Sequence, residues 1–414
     1  MQPMQLSRRK IVAILLVALL VIAVALLIAL GRGKPVLKIG ILHSLTGTMS
    51  ISEKPLVDML QFALEEVNDA GGINGRMLEA VTVDCRSDWR YCAEQAERLI
   101  TEEKVSVLFG CWTSSCRKEV KTVVEKHNHL LFYPVPYEGI ELSSNIIYTG
   151  AAPNQQIVPA TRWALDYLGK RVFLVGSDYV YPRMANILVK DLLLASGADL
   201  AGERYLLLGS EAMQAVVADI VRQRPDVVIN TLVGSSNVAF FAALDKAGIS
   251  AYKIPVLSFR VAEVELAAMT NLNTTGHYAA WTYFQSLSSP QNLLFINQFK
   301  QRFGAQAVVD DTMEASYIGL KLWAQAAREA GSAEPARVQR TILRQTLLAP
   351  RGLVAVDAET RHLWYTPRIG KIRRDGQFDI VWEAGRTIEP VSYPSYRLQE
   401  DWEQLLKTAE RKGR

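Results

Sequence analysis

Cysteine and histidine are scarce in these 414 residues, four and five in number, which argues against a disulfide-built scaffold and against a dense metal centre. Cys85, Cys92, Cys111 and Cys116 contain no pair at the two-residue spacing of a zinc knuckle. His43, His127, His129, His277 and His362 show no metal-binding spacing either; His127 and His129 stand two apart on an expected helix and face different ways. Excess charge of one sign is also lacking. A net charge of +4 is too small for a nucleic-acid surface, so no polynucleotide partner is expected. No Gly-x-Ser-x-Gly elbow precedes a helix, and no Cys–His pairing can be argued. The sequence therefore reads as non-enzymatic, without metal or cofactor. With 49% hydrophobic residues, 26 Gly and 16 Pro, it is a globular chain larger than one core usually serves.

One long apolar run is present. Every residue from Ile11 to Leu30 is Ile, Val, Ala or Leu, enough to cross a hydrocarbon layer of roughly 30 Å as a helix. Arg8, Arg9 and Lys10 precede it and hold the N-terminus in the cytoplasm, which puts everything after Gly31 in the periplasm or exterior. No small-x-small cleavage site ends the run, so an uncleaved inner-membrane anchor is expected, with a cleaved signal peptide as the alternative. In an oxidising compartment Cys85 and Cys92, which bracket a strand end and a helix start, suit a short structural disulfide; two free buried thiols are the alternative. Cys111 and Cys116 look less like a bridge, because Cys111 ends a buried strand.

Beyond the apolar run, short apolar stretches alternate with amphipathic helix patterns, the signature of parallel strands with crossover helices. The fold class is α/β. Val36–Leu42 opens a first series of strands, and a second βα series begins after Pro153-Asn154. Gly276–Tyr283 reads as a return to the first sheet, and Gly352–Trp382 as a late hairpin turning at Asp375-Gly376. The expected organisation is residues 1–34 as basic tip and anchor or signal, 35–150 with 278–343 as lobe 1, 151–277 with 344–390 as lobe 2, and 391–414 as a tail. Two doubly wound parallel sheets imply a cleft at the carboxyl ends of their strands. The segments there are rich in hydroxyls, aromatics and glycine: His43–Gly47, Gly110–Ser114, Tyr133–Gly139, Ser177–Pro182 and Val233–Ser236.

Gly110-Cys111-Trp112-Thr113-Ser114, Phe132–Gly139, Tyr148–Gln156, Gly176–Arg183 and Gly276–Trp281 together resemble the periplasmic-binding-protein fold of the branched-chain amino acid type, and within it the urea and short-chain amide receptors. The likeness runs from about Val36 to Trp402. It implies a type I periplasmic binding protein that captures urea or a short-chain amide in the interlobe cleft and delivers it to the membrane subunits of an ABC permease. It also implies ligand contacts from Trp112, Thr113, Ser114, Tyr133, Pro136, Tyr179 and Tyr181. Val135 stands where amide-binding relatives have threonine, which favours urea. A flat, neutral ligand needs hydrogen-bonding groups and aromatic walls without an ion pair, and these segments supply both. Glu138 and Asp178 read as ligand, lobe-contact or helix-capping residues, and Arg260 as a cleft-mouth or solvated residue. The rival readings are a membrane-anchored amide or urea sensor signalling to a partner protein, and a branched-chain amino acid receptor.

Overall fold

Leu37–His43 forms β1, the first strand of a computed structural model that describes residues 36–412 together with Val17, Ala18 and Val21. The expected membrane helix at Ile11–Leu30 otherwise lies outside the described residues. Among the described residues no helix is long and apolar enough to cross a membrane. β2 (Leu78–Asp84), β3 (Leu108–Gly110), β4 (Leu131–Tyr133) and β5 (Ile146–Tyr148) join β1 in a five-stranded parallel sheet ordered β2-β1-β3-β4-β5. The crossovers include α1 (Ser50–Asp69), α2 (Trp89–Thr101) and α3 (Ser114–Lys126). Successive side chains of a strand point to opposite faces. Ile39, Ile41, Phe109 and Phe132 therefore enter one core, and Leu42, Leu108, Leu131 and Tyr133 the other.

The chain then crosses to a second series: α4 (Ile157–Tyr167), β6 (Arg171–Ser177), α5 (Val180–Ala195), β7 (Asp199–Leu206), α6 (Gln214–Gln223), β8 (Val227–Thr231), α7 (Ser236–Lys246), β9 (Val256–Ser258), α8 (Glu263–Ala267) and β10 (Tyr278–Trp281). β10 does not return to the first sheet, as the sequence suggested. It pairs in parallel with β9, Tyr278 opposite Leu257 and Ala279 opposite Ser258. A short connection through α8 leaves it beside its predecessor, where both of its faces are covered. The return follows Trp281. In α9 (Pro290–Phe303), Phe295 and Phe299 lie 6.1 and 5.6 Å from Phe62 of α1, and α10 (Asp311–Glu329) packs along α1.

After α11 (Pro335–Thr341) the assignment of 344–390 to the second lobe also needs correction. β11 (Thr346–Ala349) and β12 (Gly352–Ala355) pair only with each other, and Val354, Val356, Leu363 and Tyr365 join the core of the first lobe. Only β13 (Arg368–Ile372) and β14 (Phe378–Glu383) extend the second sheet, as an antiparallel hairpin turning at Asp375-Gly376. That sheet runs β14-β13-β10-β9-β8-β6-β7. Residues 391–414 are more than a tail. Within them α12 (Gln399–Lys412) packs on α5 with Trp402 buried, and Glu410 reaches Lys118 of the first lobe at 3.2 Å. One cluster of buried side chains runs unbroken from Leu42 and Trp112 to Tyr179 and Leu257, so the lobes are closed on each other.

Candidate functional site

A sharp turn after β3 builds the first wall of the cleft. Gly110 has φ +150°, and a Cβ there would stand 2.1 Å from the Leu42 carbonyl oxygen, so the turn requires glycine. Cys111, also at positive φ, is bridged to Cys116 at the start of α3. The sequence makes this pair look less like a bridge than Cys85 and Cys92, but the left-handed residue folds the chain back far enough for the two sulfurs to meet. Cys85–Cys92 is bridged too, with Cys92 Sγ 3.5 Å from Cys116 Sγ. Cys92, Cys111 and Cys116 are the one His, Cys, Asp or Glu group among the described residues close enough to share an ion. All three are tied in disulfides, which leaves no thiolate for one.

Trp112 is held by its carbonyl, which accepts the Tyr133 hydroxyl at 2.8 Å. Thr113 caps α3, its hydroxyl accepting the Cys116 N–H at 3.2 Å, and so has a structural task. Ser114 donates to Glu138 at 2.5 Å and accepts from Arg117 at 3.0 Å. The fully buried Arg117 guanidinium also reaches Glu138 at 3.0 Å and Glu141 at 2.9 Å, and covers the Tyr133 and Tyr137 rings. Burial alone would raise the Glu141 pKa, but Arg117, Lys118, Lys121 and the Tyr148 hydroxyl bring it down to about 2. Sequence reasoning missed Arg117 and Glu141. The available signal was spacing, since Arg117 stands three residues after Ser114 on the same helix.

The second wall follows β6. Tyr179 precedes the first turn of α5, its ring 6.1 Å from Trp89 of the first lobe and 6.4 Å from Tyr181. Burial, opposed by Arg260 and, for Tyr133, also by Arg117, pushes the Tyr133 and Tyr181 hydroxyls up to about 12. Both stay protonated and able to donate at neutral pH. Asp178 takes no part; it pairs with Arg183 at 2.6 Å. A cavity of 290 Å³ between the lobes is lined by Trp89, Ser115, Lys118, Val180 and Glu410 among others, and by none of the seven expected contact residues.

Arg260 differs most from its reading as a mouth or solvated residue. It is only 2% exposed and lies between the lobes. Its guanidinium donates to the Pro136 carbonyl of the first lobe and, in the second, to the Phe259 carbonyl and Gln156 Oε1. It is 3.8 Å from the centre of the Tyr181 ring, 5.5 Å from Trp112 and 5.9 Å from Trp281. Pro136 thus enters the site through its carbonyl. A Cβ on Gly150 would fall 2.1 Å from the Val135 carbonyl carbon, so that backbone approach also needs glycine. Three buried polar atoms in this cluster have no partner: Trp112 Nε1, the Tyr181 hydroxyl and Arg260 Nε. Trp112, Ser114, Tyr133, Pro136, Tyr179 and Tyr181 are therefore brought together, around a cation the sequence reading did not place there.

A family model for the periplasmic binding protein domain matches residues 37–399. Leu/Ile/Val-binding protein homolog 6 of Brucella melitensis is 22% identical over 390 residues, 92% of this chain and 99% of that protein. Limonene hydroxylase of Geobacillus stearothermophilus is 33% identical over 113 residues; that stretch is 27% of this chain and 21% of that protein, so no activity carries over. A solute binding protein of an ABC transporter from Rhodopseudomonas palustris, solved in complex with 3,4-dihydroxybenzoic acid, superposes with a TM-score of 0.78. It is 18% identical and covers 86% of this chain and 99% of its own.

Proposed function

The chain belongs to the periplasmic binding protein family, whose members are solute receptors and not catalysts, and we propose that it is the extracytoplasmic solute-binding component of an ABC importer. It closes its lobes on a small flat solute with a carbonyl end, then presents that solute to the permease. The motif likeness names urea or a short-chain amide as the neutral candidates, and the dihydroxybenzoate bound by the Rhodopseudomonas relative names an acid of similar flatness. The apolar run at Ile11–Leu30 is the proposed tether to the inner membrane. Two disulfides suit an oxidising compartment.

One observation carries the reading. Trp112 Nε1 on the first lobe and the Tyr181 hydroxyl on the second are buried without a protein acceptor, on rings that flank the same guanidinium, and a solute carbonyl between the lobes accounts for donors that burial otherwise leaves unpaired. Calorimetric titration of the full chain with urea, thiourea, acetamide, formamide, benzoate and leucine tests it. Saturable binding of a carbonyl-bearing solute, weakened about tenfold or more by Trp112→Ala, is expected, since a buried donor's partner is then lost. A preference for leucine overturns the flat-solute specificity, and binding indifferent to Trp112→Ala overturns the role given to the buried donors.

A further inference from the structure

Among the described residues four arginines are buried: Arg117, Arg260, Arg351 and Arg368. Three have carboxylate partners. Arg117 meets Glu138 and Glu141, Arg351 meets Glu314 and Asp311, and Arg368 meets Glu383 at 2.7 Å. Arg260 has only neutral acceptors, two backbone carbonyls and the Gln156 amide oxygen, and its Nε has none. A guanidinium withdrawn from water without a counterion is costly, and buried charges are ordinarily paired. Glu138, on the facing lobe, is already engaged by Arg117 and Ser114. The charge on Arg260 is left for something outside the chain to balance, at the point where Tyr181 and Trp112 present their rings and their free donors.

We propose that Arg260 is the charge-pairing residue for the solute, and that the solute is a small flat carboxylate anion. The proposal rests on the receptor reading above and narrows its ligand class. A carboxylate has lone pairs for Arg260 Nε, Trp112 Nε1 and the Tyr181 hydroxyl together, whereas one amide carbonyl oxygen has two. The rings of Trp112, Tyr181 and Trp281 lie around the guanidinium, and their cation–π attraction favours a charged arginine there without supplying a counterion.

Matched acid and amide pairs of equal shape isolate the charge. The full chain is titrated with benzoate against benzamide and acetate against acetamide, with urea alongside, and the titrations are repeated on Arg260→Gln and Arg260→Lys. The expected result is an acid preference of about tenfold or more in the unaltered chain, levelled by Arg260→Gln and partly kept by Arg260→Lys. The unaltered chain's preference needs no variant, so it decides even if a variant fails to fold. Amides or urea binding as tightly as the acids overturns the role of Arg260 and leaves the receptor reading standing. Absence of binding by acids, amides and urea alike overturns both.

Discussion

His362 is stacked with Tyr137 and Tyr148, whose ring centres lie 5.5 and 4.4 Å away, and both of its nitrogens are engaged. Nδ1 faces the Thr360 carbonyl, which only accepts, so Nδ1 carries the proton, and Nε2 accepts the Tyr137 hydroxyl at 2.8 Å. Burial lowers its pKa from 6.5 to about 4. The unfolded chain therefore takes up this proton first as pH falls. The stabilisation is fully present above about pH 6.5 and is lost as pH drops toward 4, about 3 kcal/mol in all. Buried Glu263, Glu265 and Asp310, all shifted upward by burial, work in the opposite sense, so the difference between proteins is the useful quantity. In denaturant unfolding between pH 7 and 4, the slope of unfolding free energy against pH is expected to be algebraically lower in His362→Gln than in the unaltered chain, by up to about one proton; equal slopes refute the assignment. His362 also shows where single residues escape a sequence reading. The strand-end rule gathers Trp112, Ser114, Tyr133, Tyr179 and Tyr181, because topology dictates where strands end. No such rule says that Arg260 is enclosed or that His362 is neutral, since burial depends on what packs above a residue from distant parts of the chain.

At the scale of elements, the link from β3 to α3 decides how the first wall stands. Gly110 and Cys111 reverse the chain, the Cys111–Cys116 bridge fastens the reversal, and Thr113 caps the helix that follows. Closing so short a loop stabilises the fold by about 2 kcal/mol through lost freedom of the unfolded chain. The double substitution Cys111→Ser and Cys116→Ser is expected to lower unfolding stability by that amount and to weaken solute binding, since Trp112 follows the freed turn. Unchanged stability would mean that the bridge constrains nothing. The alternation of apolar runs and amphipathic helices made most of both sheets legible. β5 is hard to read from sequence because three residues, Ile146–Tyr148, carry no periodicity, and Gly276–Tyr283 reads as part of the first sheet because a buried strand looks the same beside either neighbour. The partner of Gly352–Ala355 was likewise hidden, as pairing register is absent from composition.

For the molecule as a whole, the crossings between lobes are joined by one buried ionic knot. Asp311, at the start of α10, accepts the N–H groups of Thr282 and Tyr283 and the Thr282 hydroxyl where the chain leaves β10. Arg351 grips Glu314 of the same helix and the Thr282 hydroxyl, while Arg368, entering β13, donates to the Thr282 carbonyl. Two returns of the chain are thereby pinned to a helix that packs on the first lobe. Removing one partner from such a set leaves the others charged and buried, and Arg351→Met is expected to cost about 3–5 kcal/mol in thermal or denaturant unfolding. Replacing the pair together, Arg351→Met with Glu314→Leu, removes the stranded charge as well and is expected to recover part of the loss, because matched apolar groups need no counterion. A double variant no more stable than Arg351→Met alone would show that Asp311 and Thr282, not Glu314, are what the guanidinium serves.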